Sequence, residues 1–326
     1  MTYEENRNDG ALFRSGEEPS SGADLLRSLP RIRRARGFRL YTEDGRRLTD
    51  LWQYGGQAVL GHTPSRILVE LKNAASRGLF APFPGCYEGR LVKALSRLFP
   101  GRVVRLYAGD SSLRRALAQA GYDGAAPFSD PAFPPSMSVS VPPLSEKPSP
   151  LLWRPFLEAG PGSDSGPDAA AQILVPVLPL PWTCAPRILV LDKTLEAAFP
   201  ASGQDLLSPV VLAAAARSVW DLIAALPEGA GRKFPRIRKA LSKSPWRRRG
   251  IYLTLGHQPA GLMSEAAGSA DYAYASLFSR FLETGFLLPP SPRSPLILPG
   301  EMSPGEEAAL AACLQFDLQS DLQSPA

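Results

Sequence analysis

The sequence predicts an α/β fold, and three observations carry that prediction. Val103-Val104-Arg105-Leu106-Tyr107 reads as a strand, Gly109 as a turn and Ser111 to about Ala120 as a helix, the unit from which a parallel sheet is built. Ile173-Leu174-Val175-Pro176-Val177-Leu178 and Arg187-Ile188-Leu189-Val190-Leu191 are continuous apolar runs, short enough to be buried parallel strands. Between and around them, apolar residues recur at helical spacing.

The elements follow in order. Residues 1 to about 30 are polar and rich in Gly and Ser, which predicts a loose arm. Phe38 to Tyr41 alternates like a strand, Asp44-Gly45 signals a hairpin turn, and Arg47 to Trp52 resumes the extended pattern. Ile67, Leu68, Leu71 and Ala75 mark a helix that Pro64 can open and Gly78 can close. A second helix runs from about Glu88 through Leu91, Leu95 and Leu98. From Gly121 to Ala171 prolines break any helix, leaving at most a short strand at Met137 to Val141. Pro209 to Leu226 is a helix apolar nearly all round, Gly250 to Leu255 a strand, and Ala270 to Gly285 a helix. Ser303-Pro304-Gly305-Glu306 carries the residues of a capping box before the last helix.

Composition narrows the class. The 326 residues are 44% hydrophobic and 21% charged, and the 34 prolines, roughly twice the usual share, point to extra loops. The net charge of +5 is carried largely by runs such as Arg31 to Arg36 and Arg247-Arg248-Arg249. A run of this kind ordinarily forms a solvated face, and no zinc-finger spacing, RNP-like aromatic pattern or heptad-bearing basic helix accompanies it, so neither a nucleic-acid nor a membrane partner is expected. Cys86, Cys184 and Cys313 lie far apart with no CxxC pair, which fits a reducing compartment. The polar start lacks a signal-peptide pattern, and no stretch of about 18 uninterrupted apolar residues occurs, so the expected location is the cytoplasm. His62 and His257 have no neighbouring cysteine or carboxylate cluster, and no metal site is expected.

Gly37 to Gly45, Asp50-Leu51-Trp52-Gln53-Tyr54-Gly55-Gly56 and Leu60-Gly61-His62-Thr63-Pro64, followed by the strand-turn-helix unit, resemble in this order the opening of the class III pyridoxal-phosphate aminotransferases, the group that includes glutamate-semialdehyde aminomutase and ornithine aminotransferase. Further on, Leu207-Ser208-Pro209 with the alanines after it, and the stretch from Gly285 to Ser291 and on to the Glu306-Glu307 helix, are similar to that family's large-domain helix and C-terminal small domain. The resemblance implies a fold-type-I transferase with an abridged central sheet, flanking helices and a small α+β domain made from both termini. Its divisions would be an arm at 1–30, the N-terminal part of the small domain at 31–75, a large domain at 76–226 with the Pro-rich insert 121–171, and a C-terminal small domain at 227–326.

The same resemblance assigns roles. Ala108-Gly109-Asp110-Ser111-Ser112-Leu113 stands where the family binds the cofactor phosphate at a helix N-terminus, so Gly109, Asp110, Ser111 and Ser112 are the candidate pyridoxal-phosphate contacts. Asp110 is also readable as a helix-capping residue, and its carboxylate would repel a phosphate. Pro186 to Pro200 is similar to the strand leading to the Schiff-base lysine, which makes Lys193 the candidate catalytic residue, although Glu196, Ala197 and Ala198 replace the family's glycines. Otherwise Lys193 is an exposed lysine at a strand end. No aspartate for the pyridine nitrogen is found between Ala171 and Lys193 other than Asp192, which neighbours the lysine.

Two functions remain open on this reading, and a third, a basic nucleic-acid-associated factor using Arg31 to Arg36 and Arg247 to Arg249, ranks last. One is pyridoxal-phosphate-dependent transfer of an amino group from a small amino compound. The other is a catalytically silent protein of the same fold that serves as a binding or partner-interaction scaffold. Either would be a homodimer.

Overall fold

The alternation at residues 38–52 folds as read, and it recruits a strand that was not anticipated. In the computed structural model, which describes residues 22–133, 147–158, 171–229, 234–255 and 269–315, β1 (Ile32–Arg36), β2 (Arg39–Thr42) and β3 (Arg47–Asp50) form an antiparallel meander. The basic run Arg31 to Arg36 is thus an edge strand. β10 (Phe286–Leu287) adds in parallel to β3, so the two ends of the chain share one sheet. The helix α1 (Gly22–Arg27) falls within the expected arm. The expected strand at Met137 to Val141 lies outside the described residues.

Arg39 locks this sheet to the last helix, α8 (Pro304–Leu314). Its Nε and Nη2 donate to the two carboxylate oxygens of Glu306 at 2.9 and 2.8 Å, and Nη1 reaches Glu301 at 3.1 Å. Glu306 also closes the capping box: Ser303 N donates to its Oε2 (2.7 Å), and Glu306 N donates to Ser303 Oγ (3.2 Å).

The central sheet has the order β4-β7-β6-β5, from β4 (Val103–Tyr107), β7 (Arg187–Leu191), β6 (Ile173–Pro176) and β5 (Leu151–Trp153). Here one expectation is corrected. β7 is antiparallel to both neighbours, whereas β4, β6 and β5 run the same way. The misreading has a physical cause: Val104, Leu106, Leu174, Ile188 and Val190 join one core, Tyr107, Ile173, Val175, Leu189 and Leu191 another. A strand covered on both faces is apolar throughout, whichever way it points.

Helices α2 (Ser65–Ala75), α3 (Cys86–Leu98) and α5 (Pro209–Gly229) pack together on the first face, and α4 (Asp110–Gln119) covers the second. α5 is long and apolar enough to span a membrane, with a mean hydropathy of 1.6 over Pro209–Pro227. Its Leu212, Ala214, Ala215, Val219 and Leu222 are buried in the protein core. A third sheet, β11-β9-β8, joins β8 (Trp246–Arg249), β9 (Tyr252–Leu255) and β11 (Leu296–Ile297), all antiparallel. The remaining helices are the short α6 (Pro235–Leu241) and the longer α7 (Ser269–Glu283).

Candidate functional site

Because β4 and β7 are antiparallel, the two junctions that the sequence placed in one site lie at opposite ends of the sheet. Tyr107 pairs with Arg187, and Val103 pairs with Leu191. Gly109 follows the first pair and Lys193 follows the second, so four residue steps of about 3.4 Å separate the two ends along the ladder. Asp192 N donates to Gln172 O (2.8 Å), which fixes Lys193 beside the start of β6, away from the end of β4.

At its own end Lys193 opens a 3-10 turn, Lys193–Ala198, and is exposed. Asp192 caps that turn, accepting from Thr194 N (2.9 Å) and Thr194 Oγ1 (2.7 Å), and these bonds hold its carboxyl below the usual range. The buried Arg105 supports the turn from beneath through Phe199 O (2.6 Å) and Glu196 (3.6 Å). Among the described residues no hydrogen bond or ion pair orients the exposed Lys193 side chain. A cavity of about 500 Å³, lined by Tyr122, Ser129, Leu151, Gln172 and Ile173, lies at this end of β5 and β6, and Lys193 is not in its wall.

At the other end, Gly109 is the residue before α4, and a Cβ built on it would meet nothing within 4 Å, so there is open space above it. Carboxylates already occupy this turn. Ala108 N donates to Asp205 Oδ2 (2.8 Å), and Asp110, first in α4, is held by Arg114 Nε (2.6 Å) and lies 4.0 Å from Arg187. Ser112 Oγ is turned back onto Gly109, donating to its carbonyl (3.1 Å), while Ser111 is exposed. Two carboxylates at a helix start satisfy the helix dipole themselves and would repel a dianion. Gly109, Asp110, Ser111, Ser112 and Lys193 do not fit a pyridoxal phosphate held at its phosphate by the first four and at its aldehyde by the fifth.

At the end that β4, β6 and β5 share, where open α/β sheets bind ligands, the β5 side is occupied by residues the sequence did not single out. Arg154 follows β5 and places Nε and Nη2 on Asp130 at 2.8 and 2.6 Å, with Nη1 on Gly55 O at 3.1 Å. Its side chain is 6% exposed, and its guanidinium carbon lies 5.4 Å from the Tyr252 ring centre. Burial pulls its pKa down, but the charge and hydrogen bonds of Asp130 outweigh that and raise it. Gly56 abuts Val177 and Arg154, with an added Cβ only 3.3 Å from Val177 Cγ1.

The motif residues 50–64 build the lid of this plug. Asp50, almost wholly buried, accepts Trp52 N and Gln53 N on Oδ1, both at 2.8 Å, and pairs through Oδ2 with His62 Nε2 at 2.7 Å. The chain then passes through four consecutive positive φ angles, Gln53 (48°), Tyr54 (50°), Gly55 (70°) and Gly56 (106°). Gln53 Nε2 donates to Ile297 O (2.9 Å), while Gln53 Oε1 and Gln57 Oε1 are buried without a protein partner among the described residues. His62 is thus a clasp to Asp50. The order Asp-x-Trp-x-x-Gly-Gly and Leu-Gly-His-x-Pro was a signal for that clasp; nothing in the Pro-rich text around Trp153-Arg154-Pro155 pointed to the plug.

No family model matches the chain. An uncharacterized protein of Treponema pallidum is 34% identical over 202 residues, 61% of this chain and 55% of that protein. Another, of Borreliella burgdorferi, is 35% identical over 75 residues, 23% of this chain and 28% of that one. The chain therefore spans about half, or less, of the curated relatives it matches. Among solved structures it is similar to an omega-transaminase from Sphaerobacter thermophilus (TM-score 0.60, 14% identity, 94% of this chain and 99% of that one). It is similar also to ornithine delta-aminotransferase of Plasmodium falciparum (0.61, 13%, 90% and 97%) and to a glutamate-1-semialdehyde aminomutase of Pseudomonas aeruginosa PAO1 (0.61, 13%, 90% and 88%). With an antiparallel strand set between strands that run together and helices on both faces, the chain has the fold of the fold-type-I pyridoxal-phosphate-dependent aminotransferases.

Proposed function

We propose that this chain is a catalytically silent protein of the aminotransferase fold that acts as a binding or partner-interaction scaffold. The observation that carries the reading is the antiparallel β4–β7 register, which sets Lys193 and the Gly109–Ser112 turn at opposite ends of the sheet. The Arg154–Asp130 pair supports it by occupying the β5 side of the shared strand end with groups already bonded to each other. A cytoplasmic homodimer belongs to the same proposal: α2, the loop after it and α5 leave Leu68, Val69, Phe80, Phe83 and Trp220 exposed on neighbouring elements.

The competing reading, amino-group transfer through a pyridoxal-phosphate aldimine at Lys193, makes a different prediction for one experiment. The purified protein is incubated with pyridoxal phosphate, reduced with borohydride and mapped by peptide mass spectrometry. On the silent reading Lys193 is labelled no more than other exposed lysines, and the Lys193→Ala variant takes up as much label in total. Stoichiometric labelling of Lys193 alone, with absorbance near the visible edge before reduction, would contradict it.

A further inference from the structure

The chain's net positive charge sits in one interval. From Gly229 to Ser264 there are nine Lys and Arg residues and no Asp or Glu, while the rest of the chain has 27 basic against 31 acidic residues. An interval of that balance in an otherwise acidic chain is a local electrostatic feature.

The structure sorts this interval into two layers. Phe234, Ile237, Ala240 and Trp246 are buried, and α6 packs on α8 and β8. Arg238, Lys239, Lys243 and Arg247 are exposed. Arg236 is anchored, with Nη1 on Pro304 O (3.0 Å) and its backbone N on the Glu307 carboxylate (2.7 Å). Arg248 and Arg249 reach the carbonyls of Gly250 and Pro131. α6 packs against β8, so their exposed basic residues stand on neighbouring elements. Elsewhere the arginines commonly have carboxylate partners, as Arg39, Arg66, Arg114, Arg154 and Arg217 do. Among the described residues no ion pair is formed by Arg238, Lys239, Lys243 or Arg247.

We propose that the exposed side of α6 and β8 binds the phosphate backbone of a nucleic-acid duplex without reading its sequence, through Arg238, Lys239, Lys243 and Arg247. Two observations select this partner among polyanions. The apolar side chains of α6 and β8 are committed to the core, and no exposed large hydrophobic residue of the described chain lies in this interval, so the face lacks what an interfacial membrane helix inserts. The same lack of exposed aromatics removes the stacking platform of single-strand binders and leaves contacts to phosphates, for which guanidinium forks are suited.

The test is a fluorescence-anisotropy titration of the full chain with a short mixed-sequence DNA duplex at several salt concentrations. Four phosphate contacts give a log–log salt slope of about −3.6, a loss of roughly 100-fold between about 50 and 200 mM salt. The Arg238→Glu/Lys243→Glu/Arg247→Glu variant should bind at least about tenfold more weakly, with a shallower slope and an unchanged circular dichroism spectrum. The control Arg31→Glu/Arg33→Glu/Arg36→Glu removes the same charge from exposed β1 and the residue before it, and should bind nearly as wild type. Absence of binding at low salt, or equal losses in both variants, overturns the proposal. So does binding to phosphatidylserine vesicles but not to the duplex, or competition by poly-glutamate as effective, charge for charge, as by unlabelled duplex.

Discussion

Arg154 grips Asp130 with two parallel hydrogen bonds, 2.8 and 2.6 Å long, at the end of the central sheet where three like-directed strands finish. A pair this deep is costly to break from one side, because the survivor is left charged and buried. Arg154→Ala or Asp130→Ala should each lower unfolding free energy by about 3–5 kcal/mol in urea titrations. Replacing both, as Arg154→Met with Asp130→Leu, should recover much of the loss, since apolar residues of similar volume are tolerated at such sites. Two single variants within about 0.5 kcal/mol of wild type would show that the pair does not form.

The clamp between Arg39 and Glu306 predicts an acid limit. The hydrogen bonds from Arg39 hold the Glu306 carboxyl at about 2, from an ordinary value near 4.5. The folded state thus binds its proton less readily than the unfolded chain, so this stabilisation is fully present above about pH 4.5 and drains away as pH falls towards 2. Glu306→Gln should cost about 1.5–3 kcal/mol at neutral pH, the usual worth of hydrogen bonds to a charged group. Its unfolding midpoint should also fall less steeply than wild type across that acid window. An identical pH profile in the two proteins would remove Glu306 as the cause.

Gly250 carries a positive φ of 60°, and a Cβ built there would stand 2.0 Å from the carbonyl oxygen of Phe156, itself at a φ of 62°. That obstacle, and Glu158 N at 3.0 Å, are backbone atoms, so no side chain can rotate away. Gly250→Ala should destabilise by more than about 2 kcal/mol, combining a left-handed penalty with a clash. Gly109→Ala, at an extended φ of −168° with open space above, should be nearly silent; thermal melts of the two variants side by side give the contrast.

Local signals gave the elements. Asp44-Gly45 makes the hairpin, and Ser303 with Glu306 makes the capping box, because each depends on bonds between residues close in sequence. The fold class was legible for the same reason: residues 37–64, 103–120 and 285–291 carry their pattern over short stretches. Strand direction was not, since Arg187 to Leu191 is apolar on both faces and nothing in its composition tells parallel from antiparallel. The resemblance of Pro186 to Pro200 to a lysine-bearing strand therefore joined Lys193 to the Gly109 turn, from which the register separates it along the sheet. Arg154 and Asp130 were invisible because their partnership spans 24 residues of Pro-rich text and becomes apparent only when β5 joins the sheet.

The antiparallel register of β4 and β7 is the claim on which the functional reading stands, and cysteine cross-linking tests it directly. In a background with Cys86 and Cys184 replaced by Ser, Asp110→Cys is paired either with Arg187→Cys or with Lys193→Cys, and each is treated with a short bis-maleimide. Arg187 lies within 4.0 Å of Asp110, and Lys193 stands at the far end of the ladder. The first pair should cross-link within the monomer and the second should not. Efficient intramolecular cross-linking of Asp110→Cys to Lys193→Cys, with none to Arg187→Cys, would contradict the register and bring the lysine back to the turn.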